Sequence, residues 1–457
     1  MFLLSGSSGK DAGAGSALGA RALRVVVTGL VAVAAAWALW SSEATVSRQK
    51  GGPRTTVLYW EKWTGDEANA MRAVVNDFNA SQDRIYVRML SISDIADKTL
   101  LATSGGTPPD VAGLWADQVT QLSEGGALTD LTGYAREFGV NRSQYIAGYW
   151  DMMTFKGRLY ALPTTPGSTA LHVDRALMPP EAKNPEGFPK TLEGLDDLVD
   201  RISKKDSRGN LEIAGFIPTQ SFGTWAMICL FGGKLVDGDR ITIDSPENRR
   251  AFKWFASYGK RFGNREMESF QSGFGNFSSA ENPFMCGKLG MVQQGVWLSN
   301  FIRLYNDKLD WYAVAMPPPA DHMSCAGANA LNLNTLMIPR GAKHPREAFE
   351  FMRFVQRQDV MENLCMAQRC NSPLAKVSER FFAEHPNRYI RLFDQLARSP
   401  NAVAPPHIGI WSQIGQEMQN AFDAANLGDK PTDEILAEAQ KRMDEAWSKY
   451  KRQVLGR

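Results

Sequence analysis

Residues 55–90, TTVLYWEKWTGDEANAMRAVVNDFNASQDRIYVRML, decide the fold class. Thr55 to Trp60 are β-branched, aliphatic and aromatic, and read as a buried strand that stops at Glu61-Lys62-Trp63. Thr64 and Glu67 then stand at capping-box spacing, and Ala68, Met71, Val74, Val75 and Phe78 recur on one helical face. Ile85 to Leu90 reads as a second strand. A helix ending at the turn Ser104-Gly-Gly-Thr-Pro-Pro-Asp110 and a third strand, Val111 to Trp115, repeat the unit. Strands alternating with helices predict a parallel α/β sheet, whose ligands sit outside the carboxyl ends of the strands. Trp60 and Trp115 both fall at such ends.

Outward from this unit, Arg158 to Pro163 and Ala170 to Asp174 read as strands flanking a flexible connection, Thr164 to Thr169, where a hinge crossing is expected. Gly290 to Trp297 and Trp311 to Met316 read as further strands, with a second crossing near the Pro317–Pro319 break. Helical patterns dominate from Pro345, with Ile435, Ala439 and Met443 on one face near the end. At 457 residues the chain exceeds one ordinary core, so two domains are expected. An apolar fraction of 44% and a charged fraction of 22% are those of a soluble globular protein. With a net charge of +2 and no basic stripe interleaved with aromatics, nucleic acid is not an expected partner.

Before the first strand, Arg21 and Arg24 precede the apolar run Val25 to Trp40, a basic region followed by a hydrophobic one. The run is shorter than the roughly 20 residues that span a bilayer comfortably, and Ser42-Glu43-Ala44 places small residues where a signal peptidase reads. Residues 1–50 are therefore expected to be a signal peptide or membrane anchor with its linker, and the protein periplasmic or extracellular. No cysteine follows the run, so no lipid-modified N-terminal cysteine is expected. The five cysteines, Cys229, Cys286, Cys325, Cys365 and Cys370, show no CxxC pair and no histidine at metal spacing, so neither metal nor cofactor is expected. Cys365 and Cys370 are near enough in sequence to join in an oxidising compartment, and geometry alone decides whether they do.

An ordered series of motifs runs along residues 55–450: TVLYWEKW, GGTPPDVAGLWADQVTQLSEGGALTDL, FKGRLYALPTT with LHVDRAL, FGTWAMICLFGG, CGKLGMVQQGVWL, AMPPPA, HPREAFEFMRFVQ, NSPLAKV and IGIWSQI. In that order they resemble the extracellular solute-binding protein family 1 of ABC importers, which includes maltodextrin-binding proteins. The resemblance implies an α/β, two-lobed periplasmic-binding-protein fold with a ligand cleft between discontinuous lobes and a multi-strand hinge. It places the first lobe at 55–167 and 314–370 and the second at 168–313 and 371–457. It implies a monomer that captures a mono- or oligosaccharide and delivers it to permease subunits. Carried over by position, Trp60, Glu61, Trp63, Trp115 and Asp117 would line the first lobe's wall, with Gln220, Phe222, Trp225, Gly295 and Trp297 facing them. Trp411, in IGIWSQI, matches the aromatic that maltodextrin binders place under a sugar ring. The polar residues beside these aromatics depart from the maltodextrin pattern, so the identity of the sugar does not transfer.

The residue types suit a sugar: an indole offers a flat apolar surface for the C–H face of a pyranose, and carboxylates and amides pair with its hydroxyls. A buried polar group left unpaired costs about 1–3 kcal/mol, which rejects the wrong isomer. Each residue also has a plainer role: tryptophans fill cores, Asp117 can cap the following helix, and Glu61 can pair with Lys62. A glycoside hydrolase would also combine tryptophans with two carboxylates, Glu61 and Asp117 here. Against an enzyme, the five histidines are scattered and neither GxSxG nor HExxH occurs. A membrane-anchored sensor of the same fold is the remaining alternative.

Overall fold

The alternation read from residues 55–115 folds as strand β1 (Thr55–Glu61), helix Gly65–Ser81, strand β2 (Ile85–Ser91), helix Ile95–Ser104 and strand β3 (Val111–Trp115). The face expected to be apolar, Ala68, Met71, Val74, Val75 and Phe78, is the buried face of the first helix. The structure, a computed structural model, describes residues 53–428 and 430–455. The Val25–Trp40 run lies outside the described residues; among those described, no helix is long and apolar enough to cross a membrane.

Contacts divide the chain into two units. Of the smaller, the described parts are residues 53–56 and 79–86, where the Thr55 amide donates to the Arg84 carbonyl at 2.8 Å. There Arg54 donates to the carbonyls of Asn79 at 2.8 Å and Gln82 at 2.6 Å. The larger unit, Val57–Phe78 with Val87–Arg457, holds the candidate site.

The sheet has ten strands, continuing with β4 (Ala161–Asp174), β5 (Lys204–Lys205), β6 (Leu211–Phe216), β7 (Leu289–Gly295), β8 (Trp311–Val314), β9 (Asn329–Met337) and β10 (Ala402–Val403). Its order is β2-β1-β3-β9-β4-β7-β6-β5, with β8 also on β4 and β10 on β9. β1 and β3 are parallel, pairing Glu61 with Gly113, as are β6 and β7. The three strands that meet β4 run antiparallel to it.

β4 corrects the expectation of two strands joined by a flexible connection. Ala161–Asp174 is one continuous strand of 14 residues, buried throughout. It pairs with β9 from Ala161 to Ser168 and with β7 from Thr169 onward, so it belongs to both halves of the sheet. Proline lacks the amide a ladder needs, which is why the connection holding Pro166 read as flexible, although Pro163 was expected to end a strand. The ladder accommodates them where its register shifts opposite, between Leu333 and Thr335. Arg158–Leu159 instead forms a short hairpin with Thr154–Phe155.

Candidate functional site

The carboxyl ends of β1 and β3 build an aromatic wall on a buried charge. Glu61 is 2% exposed and its carboxylate accepts from the Lys62 amide at 2.7 Å, the Trp63 amide at 3.3 Å and the Tyr59 hydroxyl. The Lys62 ammonium lies 3.6 Å from it and reaches the carbonyls of Gly113 at 3.4 Å and Leu114 at 3.5 Å. Gly113 is required by this approach, because a Cβ there would stand 2.7 Å from a Glu61 oxygen. Lys62 also lies 5.0 Å from the Trp63 ring centroid and 5.3 Å from that of Trp115, and the two indoles meet edge to face at 6.4 Å and 83°. Burial lowers the Lys62 pKa, opposed by the Glu61 and Asp117 charges, and burial with Glu61 raises that of the Tyr59 phenol.

Two further pairs are built from other elements. Trp297 follows β7 and its ring lies over two glycines: a Cβ at Gly295 would be 2.2 Å from the indole and one at Gly167 2.6 Å. Phe222, whose amide donates to the Gln293 carbonyl at 2.8 Å, presents its edge to Trp297 at 4.9 Å and 89°. Trp225, in the short helix Thr224–Met227, meets Trp411, the first residue of helix Trp411–Leu427, at 5.4 Å and 75°. All six rings are half-buried, unlike the core tryptophans Trp254, Trp311 and Trp447 at 8%.

Two of the expected contact residues, Glu61 and Gly295, are buried. Glu61 is engaged by four internal groups, three of them on one carboxylate oxygen, and lies at the base of the wall. Gly295 is buried under Trp297 and serves as the bed of that ring. Trp60 is half-buried, alternating with buried Tyr59 and Glu61, so it lies on the other face of the strand. Asp117 is exposed beyond Trp115, yet enough protein surrounds it that desolvation raises its carboxyl above the usual range, against the pull of its own and Gln118's amides. Gln220 is half-buried; its carbonyl accepts from the Gln294 amide at 3.5 Å.

Polar residues that sequence reasoning passed over link strands β4 and β9 to the neighbouring helices. Asn334 on β9 is paired with Trp115 and donates to the Thr165 carbonyl at 2.7 Å, and the Thr165 hydroxyl donates to Gln368 at 2.7 Å. Gln368 donates to the Glu67 carbonyl at 2.9 Å, and Asn300 donates to the Glu67 carboxylate at 2.9 Å. The side-chain oxygens of Gln118, Gln293, Gln294 and Asn334 are buried and have no hydrogen-bond partner among the described residues. The signal was present in Gln293-Gln294 and Asn332-Leu333-Asn334, amides inside otherwise apolar strands.

All five cysteines are free thiols, so the Cys365–Cys370 bridge left to geometry is not formed. Both are buried, and burial pushes the Cys370 thiol up to about 12. Among the described residues no group of three or more His, Cys, Asp or Glu is placed to hold a metal ion.

The comparisons with known proteins agree with this architecture. Residues 73–387 match the family model described as bacterial extracellular solute-binding protein. An uncharacterised ABC-transporter extracellular-binding protein of Pyrococcus horikoshii is 22% identical over 332 residues, 68% of this chain and 71% of that one. Among solved structures, CpMnBP1 with mannotriose bound superposes with a TM-score of 0.74 at 26% identity, covering 85% of this chain and 99% of that one. Maltose-bound MalE3 of T. maritima superposes at 0.69 and 16% identity, over 86% of this chain and 100% of its own. The larger unit therefore has the two-lobed α/β fold of such binding proteins, and the chain belongs to the bacterial extracellular solute-binding proteins.

Proposed function

We propose that the chain binds a mono- or oligosaccharide against its aromatic walls, closes over it by hinge motion, and hands it to the permease of an ABC importer. The observation that carries this reading is the three half-buried, edge-to-face aromatic pairs, Trp63–Trp115, Phe222–Trp297 and Trp225–Trp411. Edge contact fixes each ring while leaving indole faces for the apolar face of a pyranose. The mannotriose and maltose in the two similar structures support a neutral sugar.

In this reading Trp60, Trp63, Trp115, Phe222, Trp225, Trp297 and Trp411 supply surface, and Asp117, Gln220, Gln294 and Asn334 supply hydrogen bonds. Glu61 and Gly295 act one layer below. The lobes divide as 55–167 with 314–370 and 168–313 with 371–457, a division supported by the change of β4's partner between Ser168 and Thr169. Closure is favoured only by contacts the sugar makes to both lobes at once. Binding without turnover is favoured because Glu61, one of the two carboxylates a glycosidase would need, is already held by four partners. The family and the basic-apolar segment Arg21–Trp40 support an extracytoplasmic protein, with that segment as signal or tether.

Thermal unfolding of the full-length chain against manno- and malto-oligosaccharides, monosaccharides and glycerol phosphates tests this. A ligand at about 100 times its dissociation constant adds about 2.7 kcal/mol of stability. The shift is expected with one sugar class, to vanish in Trp115→Ala, and to leave the sugar chemically intact. Stabilisation by a charged solute alone would sink the carbohydrate reading, and release of shortened sugar would sink the binding-only one.

A further inference from the structure

A cavity of about 230 Å³, lined by none of the six paired rings, opens where helix Leu298–Tyr305 meets the segments 368–371 and 385–389. Three arginines line it: Arg303 from the last turn of the helix, Arg369 just beyond helix Gln358–Ala367, and Arg388. Asp307 is the one carboxylate in the lining. Asp66 pairs with Arg303 at 2.6 Å, and Asp310 lies 3.6 Å from Arg388 while held more closely by Arg175 at 2.9 Å. Arg369 has no carboxylate among the described residues; its guanidinium donates to the Pro386 carbonyl at 3.3 Å. Burial and the neighbouring Arg303 charge hold its pKa below the usual arginine range, so positive charge is gathered here without full compensation.

A second observation points the same way. Asn387 lines the cavity, is 2% exposed, and its side-chain nitrogen has no hydrogen-bond partner among the described residues. Its orientation is fixed, because the side-chain oxygen accepts from the Tyr389 amide at 3.0 Å. Arg369 is also one of only three non-glycine residues of positive φ among those described, at 55°, a conformation that costs energy and is kept where the surroundings impose it.

Guanidinium and amide N–H groups are donors only, so they suit an acceptor with several oxygens and negative charge, and serve a neutral sugar less well. We propose that this corner binds a tetrahedral oxyanion, either free inorganic phosphate or the phosphate of a small phosphomonoester, through Arg303, Arg369 and Arg388 with the Asn387 amide as a further donor. None of the six paired rings lines this corner, and the proposal does not depend on the identity of their ligand.

Calorimetric titration of the full-length chain with sodium phosphate, with glycerol phosphate, and with sodium chloride at matched ionic strength tests the proposal. Saturable heat is expected with phosphate or its ester and not with chloride, and the tighter of the two identifies the source. Arg388→Gln, at an exposed position whose guanidinium donates to the Trp311 carbonyl, is expected to weaken binding at least tenfold with an unchanged urea midpoint, as is Arg369→Gln. Equal responses to phosphate, ester and chloride would overturn the proposal, as would undiminished phosphate affinity in both variants.

Discussion

Adding one methyl group at Gly295 provides a sharp test of how the second wall is built. A Cβ there would lie 2.2 Å from the Trp297 ring, where ordinary contact begins at 3.4 Å, so the indole must retreat by about 1.2 Å. Retreat is resisted by Gly167 beneath and Phe222 at the edge. Overpacking of this kind costs about 1–3 kcal/mol, and loss of the aromatic pair about 0.5–1.5 kcal/mol. Gly295→Ala is therefore expected to lower the urea midpoint at unchanged slope, and to weaken sugar binding at least tenfold, since about 1.4 kcal/mol is a factor of ten. Trp297→Ala removes the obstacle, so Gly295→Ala added to it is expected to be nearly neutral, giving a coupling energy of about 1–3 kcal/mol. Additive effects of the two substitutions would refute the placement of the indole on Gly295, whatever the ligand proves to be.

Three other outcomes follow from buried groups. Glu61→Gln strands the Lys62 charge, whose side chain is 4% exposed, and is expected to destabilise by about 3 kcal/mol, with Glu61→Gln/Lys62→Met recovering much of that; a urea midpoint unmoved by the single change would contradict the pairing. His172 is fully buried, stacked on Trp311 at 5.2 Å, and burial lowers its pKa to about 3. The unfolded chain takes up that proton near pH 6.5, so the stability from a neutral His172 is present above that pH and lost as pH falls toward 3; at about 1.4 kcal/mol per pH unit this amounts to about 4–5 kcal/mol. His385, lowered to about 4 by burial, adds a loss of the same sign, and His172→Gln is expected to flatten the slope of unfolding free energy between pH 6.5 and 4 without abolishing it. Cys286, the exposed thiol, is expected to react first with a thiol reagent, and Cys365 and Cys370 only on unfolding; reaction of all five at one rate would contradict their burial.

By itself the sequence determined the strand–helix alternation of residues 55–115, because period-2 and period-3.6 burial leave marks within a few neighbours: the five residues assigned to the first helix's inner face are the ones buried. Ordered motifs also determined the family, and the half-buried state of Trp115, Trp297 and Trp411 fits the strand ends and helix start where they fall. What depends on residues far apart in the chain was decided by tertiary structure alone. Thr164 to Thr169 read as flexible because Pro166 and Gly167 are poor strand formers locally; only pairing with β9, over 160 residues away, makes them strand. Glu61 read either as a ligand acceptor or as the partner of Lys62, and only the fold brings Tyr59, Gly113 and Lys62 against it and lays Trp297 over Gly295. The amides of Gln294 and Asn334 and the three arginines around Asn387 were equally hidden, since a side chain's partners are set by which distant strands and helices meet, and no local pattern records that.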